Sequence, residues 1–143
     1  MQFWDSSAIV PLCVRETLTP SVRRLIVEDP DAAVWWGTAV EIAAALARRR
    51  REGKLPPSTH ATALGRLQKM AAGWITVAAT SPVRDRALRL VAVHPLRAAD
   101  ALQLAAALIW AEETPAGRQL VTLDERLREA ARREGFTVRP TAL

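Results

Sequence analysis

The segment from Ala101 to Ala111 is apolar at every position except Gln103. A helix of that composition has no side fit for water, so it must lie between layers of other structure, as helices do in α/β domains. Asp100 heads this segment and is the sole ionisable group between Arg97 and Glu112. His94-Pro95, just before it, forces a break in the chain, because the residue preceding proline is steered away from the α region.

The rest of the chain supplies the layers. Gln2 to Trp4 reads as a short strand that stops at Asp5-Ser6-Ser7, with a helix following from Ala8 to Val14. Helical spacing of Val22, Leu25 and Ile26 predicts a helix within Thr17 to Glu28, and Asp29-Pro30-Asp31 stops it before a second strand, Ala32 to Trp36. A helix from Ala39 to Glu52 ends in four arginines, Arg48 to Arg51, and at Gly53. Another is expected over Thr59 to Ala72 after Pro56-Pro57-Ser58, then an edge strand over Trp74 to Ala78 and a helix over Val83 to Val93. Beyond the apolar helix come a strand at Gln119 to Leu123, a helix at Asp124 to Glu134, and a last strand at Phe136 to Val138 after Gly135. Strands and helices alternate without a long run of either, which predicts a mostly parallel sheet covered by helices on both faces.

With 143 residues, half of them hydrophobic, the chain is expected to form one domain over residues 1–143. Cys13 is the only cysteine and His60 and His94 lie far apart, so neither an intramolecular disulfide nor a zinc spacing is available, and a cytoplasmic setting is expected. No stretch reaches the roughly 18 apolar residues that would cross a bilayer, and the start, Met-Gln-Phe-Trp-Asp, has no basic leader. The six glycines stand singly, with no phosphate-cradling loop, which argues against a nucleotide cofactor. The net charge is +5, and all but Lys54 and Lys69 of the basic residues are arginine. Such a balance favours polyanionic partners, although ordinary solvated arginines would produce it too.

Four acids fall where acids are either unexpected or useful. Asp5 and Asp124 sit just past strands, at the edge where open α/β sheets collect ligands. Glu41 is the lone charge before Ile42-Ala43-Ala44-Ala45-Leu46, and Asp100 heads the apolar helix. Each has an ordinary reading as a helix cap or a first-turn charge. Their convergence on one sheet edge is what points further, because neighbouring carboxylates repel unless a cation neutralises them, and hard oxygen ligands select Mg²⁺ or Mn²⁺. With such a cation the natural chemistry is phosphodiester hydrolysis. Ser7 and Thr122 are placed to hydrogen-bond a carboxylate or a water, or simply to close local turns. Arg48, Arg51, Arg97 and Arg126 would form a basic rim for a phosphate backbone.

The order Asp5-Ser6-Ser7-Ala8, then Ala39-Val40-Glu41-Ile42, then Leu96-Arg97-Ala98-Ala99-Asp100-Ala101-Leu102-Gln103-Leu104-Ala105-Ala106, then Val121-Thr122-Leu123-Asp124 resembles the PIN-domain family. In particular it is similar to the VapC-like toxins of bacterial toxin–antitoxin pairs. The resemblance spans essentially the whole chain, and the third segment is its most specific part. It implies a Rossmann-like three-layer α/β/α sandwich and a Mg²⁺- or Mn²⁺-dependent endoribonuclease. It also implies a homodimer, inhibition by an antitoxin that occupies the active site, and contact with operator DNA only through that antitoxin. By position Asp5, Glu41, Asp100 and Asp124 match the family's acidic quartet, and Ser7 its small polar residue. In that assignment Asp5, Asp100 and Asp124 hold the metal while Glu41 ligates it or positions the attacking water. Two other readings stand beside it: a nuclease of the same fold acting in RNA maturation or on structured DNA, and a non-catalytic module that binds a partner and regulates an operon.

Overall fold

A computed structural model describes all residues, 1–143. The strands are β1 (Gln2–Trp4), β2 (Ala32–Trp35), β3 (Ile75–Val77), β4 (Gln119–Val121) and β5 (Thr137–Arg139). They form one five-stranded sheet in the order β3-β2-β1-β4-β5, with every pairing parallel. Between them run α1 (Ser6–Cys13), α2 (Thr19–Glu28), α3 (Thr38–Arg51), α4 (Pro57–Ala71), α5 (Ser81–Val93), α6 (Ala98–Trp110) and α7 (Glu125–Glu134). Each parallel pair needs a crossover, and helices supply all of them.

Alternation along the strands divides the interior in two. Phe3, Ala33, Trp35 and Leu120 turn to one face, where α5, α6 and α7 cover them with Leu90, Leu104 and Leu127. Trp4, Ala32, Val34 and Val121 turn to the other, under α1 to α4 with Ile9, Val22, Ile42 and Leu46. The result is a three-layer α/β/α sandwich of Rossmann type. The apolar helix lies where its composition requires: within α6, Ala101, Gln103, Leu104, Ala105, Ala106, Ala107 and Leu108 are all buried. No helix is long and apolar enough to cross a membrane.

Several element ends differ from the sequence expectation by one or two residues, for local reasons. The fourth strand stops at Val121 rather than Leu123: the Thr122 amide still bonds to Arg139 at 3.1 Å, but the Leu123 amide leaves the sheet for Ser7 Oγ. Helix α7 begins at Glu125, with Asp124 outside it as the cap, accepting from the Leu127 amide at 2.8 Å. Gly135 ends that helix in the left-handed conformation, φ 105°, and Phe136 then bonds back to the Ala131 carbonyl. Phe136 thus belongs to the helix stop, and the last strand starts one residue later. Asp100 is not a cap. Helix α6 starts at Ala98 with Arg97 preceding it, so Asp100 stands inside the first turn, where a negative charge still favours the helix dipole.

The sequence runs outward from β1 through β2 to β3 and then returns to the other side of β1 as β4 and β5. The carboxyl ends of β1 and β4 therefore flank a topological switch point, the place where two neighbouring crossovers diverge and leave a crevice.

Candidate functional site

Asp5 leaves β1 directly into this crevice. Its backbone amide still pairs with Val121 at 3.0 Å, and its carboxylate caps α1 through the Ser7 amide. The cap reading and the site reading are therefore both true of it. Thr122, the first residue past β4, donates its hydroxyl to Asp5 Oδ2 at 2.9 Å and accepts from the Asp124 amide at 3.2 Å, tying the ends of the two strands together. Ser7 Oγ also donates to Asp5 Oδ2, and it accepts from the Leu123 amide at 2.9 Å.

Glu41 arrives from the opposite wall. Gly37 opens the turn before α3, where a Cβ would come within 2.6 Å of Trp35 Nε1, so any larger residue there would have to displace the indole. One turn later, Glu41 Oε2 accepts from Ser6 Oγ at 2.9 Å and from Gln103 Nε2 at 3.2 Å. Ser6 Oγ lies 3.4 Å from Asp5 Oδ1, so one hydroxyl spans the two acids. Gln103 also donates to Thr38 Oγ1 at 3.1 Å and lies one helical turn after Asp100, on the same side of α6. Two polar residues outside the expected set, Ser6 and Gln103, thus belong to the site. Gln103 was visible in advance as the single polar interruption of the apolar helix; Ser6 gave no signal beyond its place next to Asp5.

Asp100 and Asp124 line one cleft with Arg97, Glu125 and Arg126, while Glu41 lines a second with Ser6, Ser7, Arg48 and Arg49. Arg48, Arg97 and Arg126 border the carboxylates as expected. Arg51 does not: it is exposed at the far end of α3 and lines neither cleft. Nearly three turns separate it from Glu41, which is why a run of arginines on one helix cannot all reach one site.

None of the four acids forms an ion pair; every salt bridge of the chain uses other residues. Burial raises the Asp5 carboxyl above its usual range, against the pull of hydrogen bonds from Ser7 and Thr122, and the Asp124 charge pushes it further. Glu41 is raised by burial too, opposed by Gln103 and Ser6 and reinforced by Asp5 and Asp100. For Asp100 burial leads again, followed by the charges of Asp124 and Asp5. The acids thus feel one another across the crevice; Arg97 pulls Asp100 the other way, through its amide and its charge, without outweighing burial and the neighbouring acids.

The oxygens have unequal duties. The short bonds to Asp5 converge on Oδ2, both bonds to Glu41 on Oε2, and the Leu127 amide takes Asp124 Oδ1. Asp5 Oδ1 meets only Ser6 Oγ at 3.4 Å, while Glu41 Oε1 and Asp124 Oδ2 accept no hydrogen bond from the chain. No three such side chains stand close enough to chelate one ion by themselves, so this is not a closed cage. The donor set fits Mg²⁺ or Mn²⁺ better than Ca²⁺, since a Mg²⁺ site uses one or two carboxylates and leaves the remaining positions to water and a substrate phosphate.

No protein-family profile matches the chain, and no curated protein matches it in sequence. Among solved structures, PAE2754 from Pyrobaculum aerophilum superposes with a TM-score of 0.67 at 22% identity, covering 98% of this chain and 90% of the other. A chain of a toxin–antitoxin complex from Klebsiella pneumoniae superposes with a TM-score of 0.61 at 14% identity, covering 87% of each. At these identities the likeness is one of fold.

Proposed function

We propose that this protein is a Mg²⁺- or Mn²⁺-dependent endoribonuclease of PIN type that serves as the toxin of a toxin–antitoxin pair. The observation that carries the reading is the set of four carboxylates gathered at the switch point without an ion pair among them, three of them held toward the protonated form by burial and by one another. A buried anion without a counter-charge is costly, and a cation is the partner this set lacks. The fold shared with a chain of the Klebsiella complex supports the toxin role, as does the family resemblance of the motifs.

When bound, the cation supplies a Lewis acid that polarises the phosphoryl oxygen and offsets charge on the attacking and leaving oxygens. The residues do the rest. Asp5, Asp100 and Asp124 would hold it, one or two of them directly and the rest through bound water. Ser7 and Thr122 fix the Asp5 carboxylate in one orientation through Oδ2, leaving Oδ1 with only the long contact to Ser6. Glu41 orients the attacking water with Oε1 and accepts its proton, a task suited to a carboxylate whose affinity for protons is raised. Arg97 and Arg126 flank the scissile phosphate on one side and Arg48 and Arg49 on the other. A homodimer is expected, held inactive by an antitoxin segment placed over the acids, with operator DNA reached only through that antitoxin.

Purified protein freed of any partner, incubated with an RNA pool, should cleave it with Mg²⁺ or Mn²⁺ and not with chelator. Asp100→Asn should be inert, and single-stranded or flap DNA should survive. Cleavage of DNA but not RNA would point to the structured-DNA nuclease instead, and identical behaviour of Asp100→Asn would remove the catalytic reading altogether.

A further inference from the structure

The largest concavity of the molecule holds none of the four acids. It is a cleft of about 780 Å³ between the α1–α2 connection, α2 and α4, wider than either of the clefts that hold the carboxylates, at about 460 and 220 Å³. Its charged lining is Arg15, Arg23, Arg24 and Arg66 against one acid, Glu16, and Glu16 is already taken by Arg49. Val22 and Leu25 bury themselves in the core and so turn Arg23 and Arg24 outward on α2. No ion pair within the chain engages Arg15, Arg23, Arg24 or Arg66. Arg66 is instead oriented by the Cys13 carbonyl, at 2.9 Å from Nη1, which leaves its other donors free.

Four guanidinium groups without counter-charge raise a positive potential over one concave surface, the footprint of a polyanion. The cleft is also not isolated. Glu16 lines both it and the neighbouring cleft of Ser6, Ser7, Glu41, Arg48 and Arg49, so the two meet at the Glu16–Arg49 pair. Glu41 therefore lies on an arginine-bordered path that runs from Arg48 and Arg49 to Arg23 and Arg24.

We propose that the cleft of Arg15, Arg23, Arg24 and Arg66 binds the sugar–phosphate backbone of the single-stranded RNA that leaves the carboxylate site on the α1–α2 side. The proposal rests on the endoribonuclease reading and extends it: the substrate is a strand several nucleotides longer than the segment at the acids, gripped by its phosphates rather than read by its bases. Guanidinium forks match phosphate oxygens in pairs, and such contacts are indifferent to sequence. An acidic protein segment would satisfy the same charges, but the continuity with the Glu41 cleft favours a strand that must pass through both.

The test measures binding, not cleavage. Fluorescence anisotropy in metal-free buffer would compare a labelled single-stranded RNA of about a dozen nucleotides with a trinucleotide and with an oligoglutamate peptide, for the wild-type chain and for Arg23→Gln/Arg24→Gln. Both arginines are exposed, so the melting temperature should not move. The longer RNA should lose roughly tenfold in affinity, and its log K against log salt slope should become shallower by about 1.4, two phosphate contacts at ~0.7 each, while trinucleotide binding stays as it was. An unchanged affinity and slope for the longer RNA would overturn the proposal, as would a loss confined to the peptide. Because no metal is present, RNA binding through these arginines can succeed in a protein that never cleaves, so the two readings fail separately.

Discussion

Asp5 and Glu134 are both carboxylates taken largely out of water, and they end in opposite states. Glu134 lies between Arg89, whose Nη2 is 2.8 Å away, and His94, whose Nε2 is 2.6 Å away. Burial alone would raise it, yet the hydrogen bonds and charges of Arg89 and His94 outweigh burial and hold it below its usual range. Asp5 is 3% exposed and surrounded by donors as well, but its donors are hydroxyls and an amide, and burial wins. Neutral donors orient a buried carboxylate; only a positive charge neutralises it. The α5–α7 cluster is therefore finished within the chain and serves stability, while the switch-point cluster is unfinished and asks for a partner from outside.

The largest expected effect breaks the unfinished side. Asp100→Asn should lower metal-dependent RNA cleavage by at least ~10³-fold, about 4 kcal/mol of transition-state stabilisation, measured as kcat/KM on one defined RNA. The metal-free form of that variant should melt no lower than the wild type, because burial and the charges of Asp124 and Asp5 outweigh the pull of Arg97 on that carboxylate.

Next, Mn²⁺ at about one hundred times its Kd should stabilise the wild-type protein by about 2.7 kcal/mol in denaturant titration. Asp5→Asn should abolish that gain; if Mn²⁺ stabilises both equally, the cation binds elsewhere. The finished side should behave in reverse. Glu134→Gln should cost about 2 kcal/mol by stranding Arg89 and His94, roughly 4–8 °C in a chain of this size, equally with and without Mn²⁺.

The two clusters should also pull stability in opposite directions with pH. A depressed acid such as Glu134 contributes stability that is present above its unfolded pKa and is lost as pH falls through the folded one. The raised acids Asp5, Glu41 and Asp100 contribute stability that is present below their unfolded pKa values and is lost as pH rises through the folded ones. Metal-free wild-type protein should then lose more stability than metal-free Asp100→Asn as pH climbs out of the carboxylate range. Parallel curves would mean that Asp100 titrates normally. The smallest effect belongs to Gln103→Leu, which frees Glu41 Oε2 of one bond and should slow cleavage by about tenfold with little change in Mn²⁺ affinity.

The contrast also explains which parts could be read without coordinates. His94 and Glu134 are forty residues apart, and nothing in their neighbourhoods announces a pair; the contact exists because α5 and α7 cover the same face of the sheet. The basic cleft escaped for the same reason, since Arg15, Arg23, Arg24 and Arg66 come from different elements and only packing makes them one surface. Arg48 to Arg51 looked like one rim and split, because a helix separates its residues around and along its axis.

What the sequence determined by itself was whatever follows from local periodicity: the order of strands and helices, the burial of α6, and the placing of Asp5 and Asp124 just past strands. Period-two and period-3.6 patterns encode which face of an element avoids water, and connection length then restricts parallel strands to helical crossovers. Only the tertiary structure decided that Ser6 joins Asp5 to Glu41, that Gln103 reaches Glu41 from the far layer, and that Glu41 Oε1 and Asp124 Oδ2 stay free. Those facts depend on distances between residues remote in the chain, set when two cores close on opposite faces of one sheet. A sequence constrains such distances only through that packing.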